Sequence, residues 1–168
     1  MAAGLFLIVG CTGAGKTTYA RRLADEIGGV RFSIDEWMMT LFWKDSPQPI
    51  EFAWTIERVR RCEQQIFAMA QQLAARGVPA ILDLGFTKKD DRDRFRQIAR
   101  KANLTAAVHF IDVSAEERWR RVEQRNADKG ETLAMRGDRG MFDFMEGMWE
   151  PPDEDEWQAN GGQRIGGD

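Results

Sequence analysis

With 168 residues, 43% of them hydrophobic, the chain has enough apolar material for one domain with its own core and no room for a second sizeable one. A formal net charge of -3 excludes a broad electrostatic pull toward nucleic acid or an anionic membrane surface. The two cysteines, Cys11 and Cys62, form no metal-ligand spacing and point to a reduced, cytoplasmic setting, and no apolar run reaches the length of a membrane span. The first apolar stretch, Leu5–Val9, has no Lys or Arg before it. It is read as a strand buried on both faces rather than as a signal peptide.

Directly after it comes Gly10-Cys11-Thr12-Gly13-Ala14-Gly15-Lys16-Thr17, the pattern G-x-x-x-x-G-K-T, or Walker A. A helix follows from Lys16 to Ile27, with Tyr19, Ala20, Leu23 and Ile27 at helical spacing. Strand, loop and helix in that order are the context the motif requires. Unpaired amides at a helix start, reinforced by the helix dipole, attract a phosphate chain. Gly10, Gly13 and Gly15 let the backbone curl where a Cβ would clash. Lys16 supplies a point charge for the β- and γ-phosphates, and the Thr17 hydroxyl suits Mg²⁺. Residues Gly10 to Thr18, including Cys11, Thr12, Ala14 and Thr18, are therefore the expected binding site for ATP.

Gly28-Gly29 closes the helix, and a strand Val30–Ile34 ends at Asp35. Ligands of doubly wound sheets bind beyond the strand C-termini, so Asp35 is expected beside the phosphate loop. There it can take a proton from an attacking hydroxyl, or cap the helix that follows. Trp37, Met38, Met39, Leu41, Phe42 and Trp43 read as core or as the wall of an acceptor pocket. A long helix spans Ile50–Arg76, with Phe52, Ile56, Val59, Ile66, Met69 and Leu73 as its buried face and Arg58 and Arg61 as surface charge. The strand Ala80–Leu84 carries Asp83 near its end, a Walker B pattern whose carboxylate holds Mg²⁺.

Thr87 is the expected cap of a helix Lys88–Ala102 with Phe95, Ile98 and Ala99 inward. Next comes the strand Ala106–Asp112, in which His109 reads as a strand residue rather than a catalyst. Ser114 caps a helix Ala115–Asn126 with Ala115, Trp119 and Val122 toward the core. Arg118, Arg121 and Arg125 share one face of that helix, either gathered around an anion or solvated and supported by Glu117. Residues 126 to 140, basic and glycine-punctuated, are expected to form a lid, and Met141–Trp149 a short helix. The reading is one domain over residues 1–156 and a flexible tail over 157–168.

With these residues in place, the chain resembles the P-loop kinase families related to zeta toxin, chloramphenicol phosphotransferase and the 5′-hydroxyl kinase domain of polynucleotide kinase, and bacterial ATP-binding proteins of the AAA family. The resemblance rests on the loop at Gly10–Thr17, on Ser33-Ile34-Asp35, which looks like the family's catalytic base motif, on Asp83-Leu84-Gly85, similar to its second acidic site, and on Arg118, Arg121 and Arg125, which look like lid arginines. Trp149-Glu150-Pro151-Pro152 lies where such kinases approach the adenine. In polynucleotide kinases an Arg follows the Asp by three residues. Here Met38 holds that position, which with the net charge argues against a nucleic-acid partner.

The resemblance implies an α/β P-loop NTPase fold with a parallel sheet of four to five strands in order 2-3-1-4. It also implies a kinase moving the γ-phosphoryl of ATP to a hydroxyl of a small molecule, with Mg²⁺. Alternatives are a nucleotide-controlled regulatory ATPase and a 5′-hydroxyl nucleic-acid kinase. No membrane partner is expected, and no sequence signal speaks to oligomeric state.

Overall fold

Short, continuously apolar runs can be buried on both faces only in a sheet covered by helices on both sides. The computed structural model, which describes residues 4–129 and 138–166, has that arrangement. Its elements are β1 (Leu5–Val9), α1 (Lys16–Ile27), β2 (Val30–Ser33), α2 (Ile34–Phe42), a short turn Trp43–Asp45, α3 (Phe52–Ala74), β3 (Ala80–Asp83), α4 (Lys89–Lys101), β4 (Ala106–Asp112), α5 (Ala115–Lys129), α6 (Arg139–Met148), α7 (Glu154–Gln158) and β5 (Gln163–Gly166). The sheet is parallel throughout, in the order β2-β3-β1-β4-β5.

Strand periodicity divides the core. Leu5, Leu7 and Val9 of β1 face a layer with Phe95 and Ala99 of α4 and Ile66 and Ala70 of α3. Ile8 faces the opposite layer, with Ala20 and Leu23 of α1, Ile81 and Ile111. Each of these large side chains contributes about 1.5–3 kcal/mol by leaving water. The register sets the site. Leu5 lies beside both Ala80 and Ala106, so the three central strands start level, and Ser33 lies beside Asp83. The chain turns that follow β1, β2 and β3 therefore emerge together at one sheet edge.

The glycine-rich end departs from the expected flexible tail. Gln163–Gly166 pairs with His109–Asp112 as the fifth strand. The physical reason lies at Gly162, where a Cβ would sit 2.4 Å from Trp157 O and 2.5 Å from Val108 O. The glycine permits close approach to β4 as well as freedom. Ile165 packs on the α1 layer, and Arg164 pairs with Asp112.

Helix boundaries also shift. Ser33, not Asp35, caps α2, its hydroxyl accepting from Glu36 N–H at 3.3 Å, and Asp35 falls in the first turn. Lys88 rather than Thr87 occupies the cap position of α4, and the distant Glu150 carboxylate accepts from Lys89 N–H at 2.8 Å. On α3 the buried residues are Cys62, Glu63, Ile66 and Ala70, whereas Phe52 is 74% exposed and Ile56 and Met69 are partly so. Trp54, Thr55 and Val59 in the first turns of α3 line a cavity with residues of α2, so this part of the helix walls a space rather than filling the core. Arg58 is not free surface charge, because its guanidinium stacks over the Trp54 ring at 3.9 Å. On α5, Ser114 caps as expected and Val122 is buried, but Ala115 is exposed. Of the expected lid, residues 126–129 belong to α5 and Arg139 opens α6, while residues 130–137 lie outside the described residues.

An ion pair that sequence periodicity did not flag fastens the C-terminal segment. Arg92 is fully buried and binds Glu156 twice, Nε to Oε1 at 2.9 Å and Nη2 to Oε2 at 3.2 Å. Its Nη1 donates to Phe86 O and Glu150 O. Removing one partner strands a buried charge, so Glu156→Ala should cost about 3–5 kcal/mol in urea denaturation. A loss below about 1 kcal/mol would mean that the pair behaves as a solvated one.

His109 is a strand residue, as its apolar neighbours suggest. It is buried, its Nδ1 lies 2.7 Å from the Tyr19 hydroxyl, and burial pushes its pKa from 6.5 down to about 4. The folded state holds the ring neutral while the unfolded chain protonates below 6.5. Stability from this group is therefore present above pH 6.5 and lost as pH falls toward 4, by about 3 kcal/mol at most. His109→Leu should flatten the fall in urea midpoint between pH 7 and 4.5, and an unchanged slope would contradict this assignment.

Candidate active site

The loop between β1 and α1 curls because Gly13 sits at φ 81° and Gly15 at φ 89°. At Gly13 a Cβ would come within 2.6 Å of Arg118 O, so α5 and the loop pack backbone to backbone. The first helical bond of α1 runs from Tyr19 N–H to Gly15 O at 3.0 Å. The amides of Lys16, Thr17 and Thr18 precede it, as a phosphate-binding helix start requires. Lys16 Nζ donates to Cys11 O at 3.1 Å. Burial holds its pKa below the usual lysine value, opposed by the charges of Asp83 and Asp35. That ammonium lacks a full counter-charge, and an arriving polyphosphate would supply one.

Thr17 and Asp83 meet as their motifs imply, with the Thr17 hydroxyl donating to Asp83 Oδ2 at 3.0 Å. A hydroxyl and a carboxylate side by side are hard oxygen ligands of the kind Mg²⁺ takes alongside waters and substrate phosphates. No group of three or more His, Cys, Asp or Glu able to hold a metal occurs among the described residues.

Asp35 is near enough to this pair to feel the charge of Asp83. It makes no side-chain hydrogen bond among the described residues and keeps an exposed face, while partial desolvation raises its pKa. The charge of Asp83 pushes in the same direction and Lys16 opposes it. A carboxylate held near, but not paired with, the lysine of the loop is chemically a proton acceptor. Asp35 also lines a cavity of about 290 Å³, together with Met38, Met39, Phe42 and Trp43 among others. The aromatic and methionine cluster is thus divided: Trp37 packs on Phe32 in the core, and its neighbours form a wall.

The three arginines of α5 do different things. Arg118 is 4% exposed and committed to protein groups: Nε to Val113 O at 2.9 Å, Nη1 to Thr12 O at 3.3 Å and Nη2 to Glu146. It braces the phosphate loop from behind. Arg121 reaches Ala14 O at 3.3 Å while Glu117 holds its Nε at 2.8 Å. The side-chain hydrogen bonds from Arg120 and Arg121 pull the Glu117 pKa down to about 2. Arg125 is exposed and borders, with Arg121, a groove of about 410 Å³.

Two participants escaped the sequence reading. Arg31 of β2 contacts Asp83 Oδ2 at 3.3 Å and also pairs with Glu36, so it steadies the acidic residue. Its signal was a charge inside the strand run Val30-Arg31-Phe32, one strand away from Asp83. Glu146 of α6 binds Arg118 and accepts from the Cys11 thiol at 3.3 Å. No local pattern marks it. The segment Trp149–Pro152 packs inward, Trp149 against Phe110 with centroids 6.1 Å apart and Pro152 buried. No helix among the described residues is long and apolar enough to cross a membrane.

The chain is similar to several solved structures. To APE1195 it is 25% identical with a TM-score of 0.65, covering 94% of this chain and 84% of that one. To a sugar kinase from Janibacter sp. HTCC2649 it is 21% identical with a TM-score of 0.63, covering 92% and 82%. To Kti12 from Chaetomium thermophilum, solved in complex with ADP-AlF3, it is 18% identical with a TM-score of 0.67, covering 93% and 86%. The last two likenesses speak to the fold. No curated protein matches. The AAA_33 family model, described as an AAA domain, matches residues 5–145, the stretch from β1 through most of α6. The chain therefore belongs to the AAA_33 AAA domain family, with the fold of a P-loop kinase.

Proposed function

We propose that this protein is an ATP-dependent phosphotransferase that places the γ-phosphoryl on a hydroxyl of a small molecule. One observation carries the reading: Asp35 interacts electrostatically with Lys16 and Asp83 and also lines a cavity, which supports a role joining phosphate to an acceptor. In a simple nucleotide switch that carboxylate and its cavity have no task.

The residues divide the work as follows. The amides of Gly10 to Thr18, with Lys16, bind the phosphates of ATP. Thr17 and Asp83 would hold Mg²⁺, which when bound neutralises charge on the β- and γ-phosphate oxygens. Asp35 accepts the acceptor's hydroxyl proton. Arg121, and Arg125 beside it, are placed on the α5 face to offset charge on the transferring group, with Arg118 positioning the loop they serve. The acidic overall charge supports a small-molecule acceptor over nucleic acid.

The test is the dependence of ADP release on an added hydroxyl compound in a coupled assay. A kinase accelerates with acceptor and saturates. A rate that ignores every acceptor would instead identify a regulatory ATPase.

A further inference from the structure

The cavity beside Asp35 is apolar where a polyol site would be polar. Nine of its twelve lining residues are apolar, among them Phe42, Trp43 and Trp54. The polar three are Asp35, Ser46 and Thr55. Ser46 Oγ donates to Trp43 O at 2.8 Å and Thr55 Oγ1 to Glu51 O at 3.1 Å, so both hydroxyl protons are already taken. Asp35 is the one charged side chain among the described residues of the lining. No Lys or Arg is among the described residues that line the cavity. Arg58, on the same helix as Trp54, lies over that ring and donates to Trp54 O at 3.0 Å, so it supports a wall rather than the space.

Resting on the kinase reading above, we infer that the acceptor is an uncharged, ring-bearing hydroxyl compound with few polar groups beyond the hydroxyl that is phosphorylated. The aromatic walls match ring faces. A polyol would bring several hydroxyls against a lining that offers few polar partners for them. A carboxylate or phosphate would bring a further negative charge beside Asp35, with no cation in the cavity lining to offset it. The size agrees: about 290 Å³ is at the low end of small-molecule pockets, which run from about 300 to 1,000 Å³. At the cavity walls Trp43 is 43% and Ile50 54% exposed, apolar surface that a bound ring would cover. In the step itself the hydroxyl proton passes to Asp35 and the acceptor oxygen bonds to the γ-phosphorus. The bond from that phosphorus to the bridging oxygen breaks, and ADP departs with the electron pair.

The experiment compares 2-naphthylethanol, sorbitol and gluconate on the full chain. Binding is read without nucleotide by tryptophan fluorescence, and transfer is read with Mg·ATP. The expected result is saturable binding and phosphorylation of 2-naphthylethanol, with kcat/KM at least about 10²-fold above the other two. Met39→Glu, a charge added at an exposed lining position, should cut that kcat/KM about 10-fold while keeping the ATP-induced melting shift. Equal or better transfer to sorbitol or gluconate overturns the inference and leaves the kinase reading intact. Binding of 2-naphthylethanol with phosphate passing only to water overturns the kinase reading, and the acceptor assignment with it. Absence of binding overturns the inference, whether or not a dimer that Met39→Glu dissociates is found at this face.

Discussion

Lys16→Ala should abolish nucleotide-dependent activity and weaken ATP binding while the fold persists. The apo protein asks little of this side chain. Its ammonium has one hydrogen bond, to Cys11 O, and burial already disfavours its charge. Alanine is also the best helix former at the start of α1. Loss of one charge-assisted contact weakens binding by about 1.5–3 kcal/mol. The loss in catalysis should be larger, because charge on the phosphate oxygens shifts during transfer. Thermal melting gives the check. Wild type should gain about 2.7 kcal/mol when Mg·ATP stands at about 100-fold its Kd. The variant should melt near the apo wild type and gain much less. A full ligand-induced shift with full turnover would overturn the phosphate-loop assignment.

Asp35→Asn should separate chemistry from binding. The amide is nearly isosteric, and Asp35 has no side-chain hydrogen bond among the described residues to lose. A general base contributes about 10²–10⁴-fold, so kcat should fall in that range. ATP binding should hold or tighten slightly, because one of two neighbouring negative charges is removed. Acceptor-dependent turnover that survives intact would remove Asp35 from the mechanism.

What could be read in advance follows from how local each signal is. The motif is eight consecutive residues with an obligatory strand before and helix after, so the turn from β1 into α1 over Gly10 to Thr17 was legible. The strands β1, β3 and β4 were legible because burial on both faces leaves uninterrupted apolar runs. A fifth strand was allowed for but not placed, because Gly162 and Gly166 look like flexibility until β4 lies against them. Helical spacing sorted α3 wrongly at its start, since periodicity marks an apolar stripe and not what covers it. The same ambiguity left the Trp37–Trp43 cluster open between core and cavity, and only the sheet edge divides it. Arg92, Arg31 and Glu146 act through partners from 28 to 135 positions away in the chain, beyond the reach of a local pattern. Arg92 did carry a faint sign, standing three and seven residues before the inward Phe95 and Ala99.

The central claim is that the γ-phosphoryl leaves ATP for an organic hydroxyl, with Asp35 taking the proton. The most direct measurement is ³¹P NMR of Mg·ATP with the protein and 2-naphthylethanol, run side by side for wild type and Asp35→Asn. The account predicts a phosphomonoester resonance that grows in step with ADP in the wild type and is slowed about 10²-fold or more in the variant. Inorganic phosphate as the only new resonance, appearing at the same rate in both proteins, would contradict it.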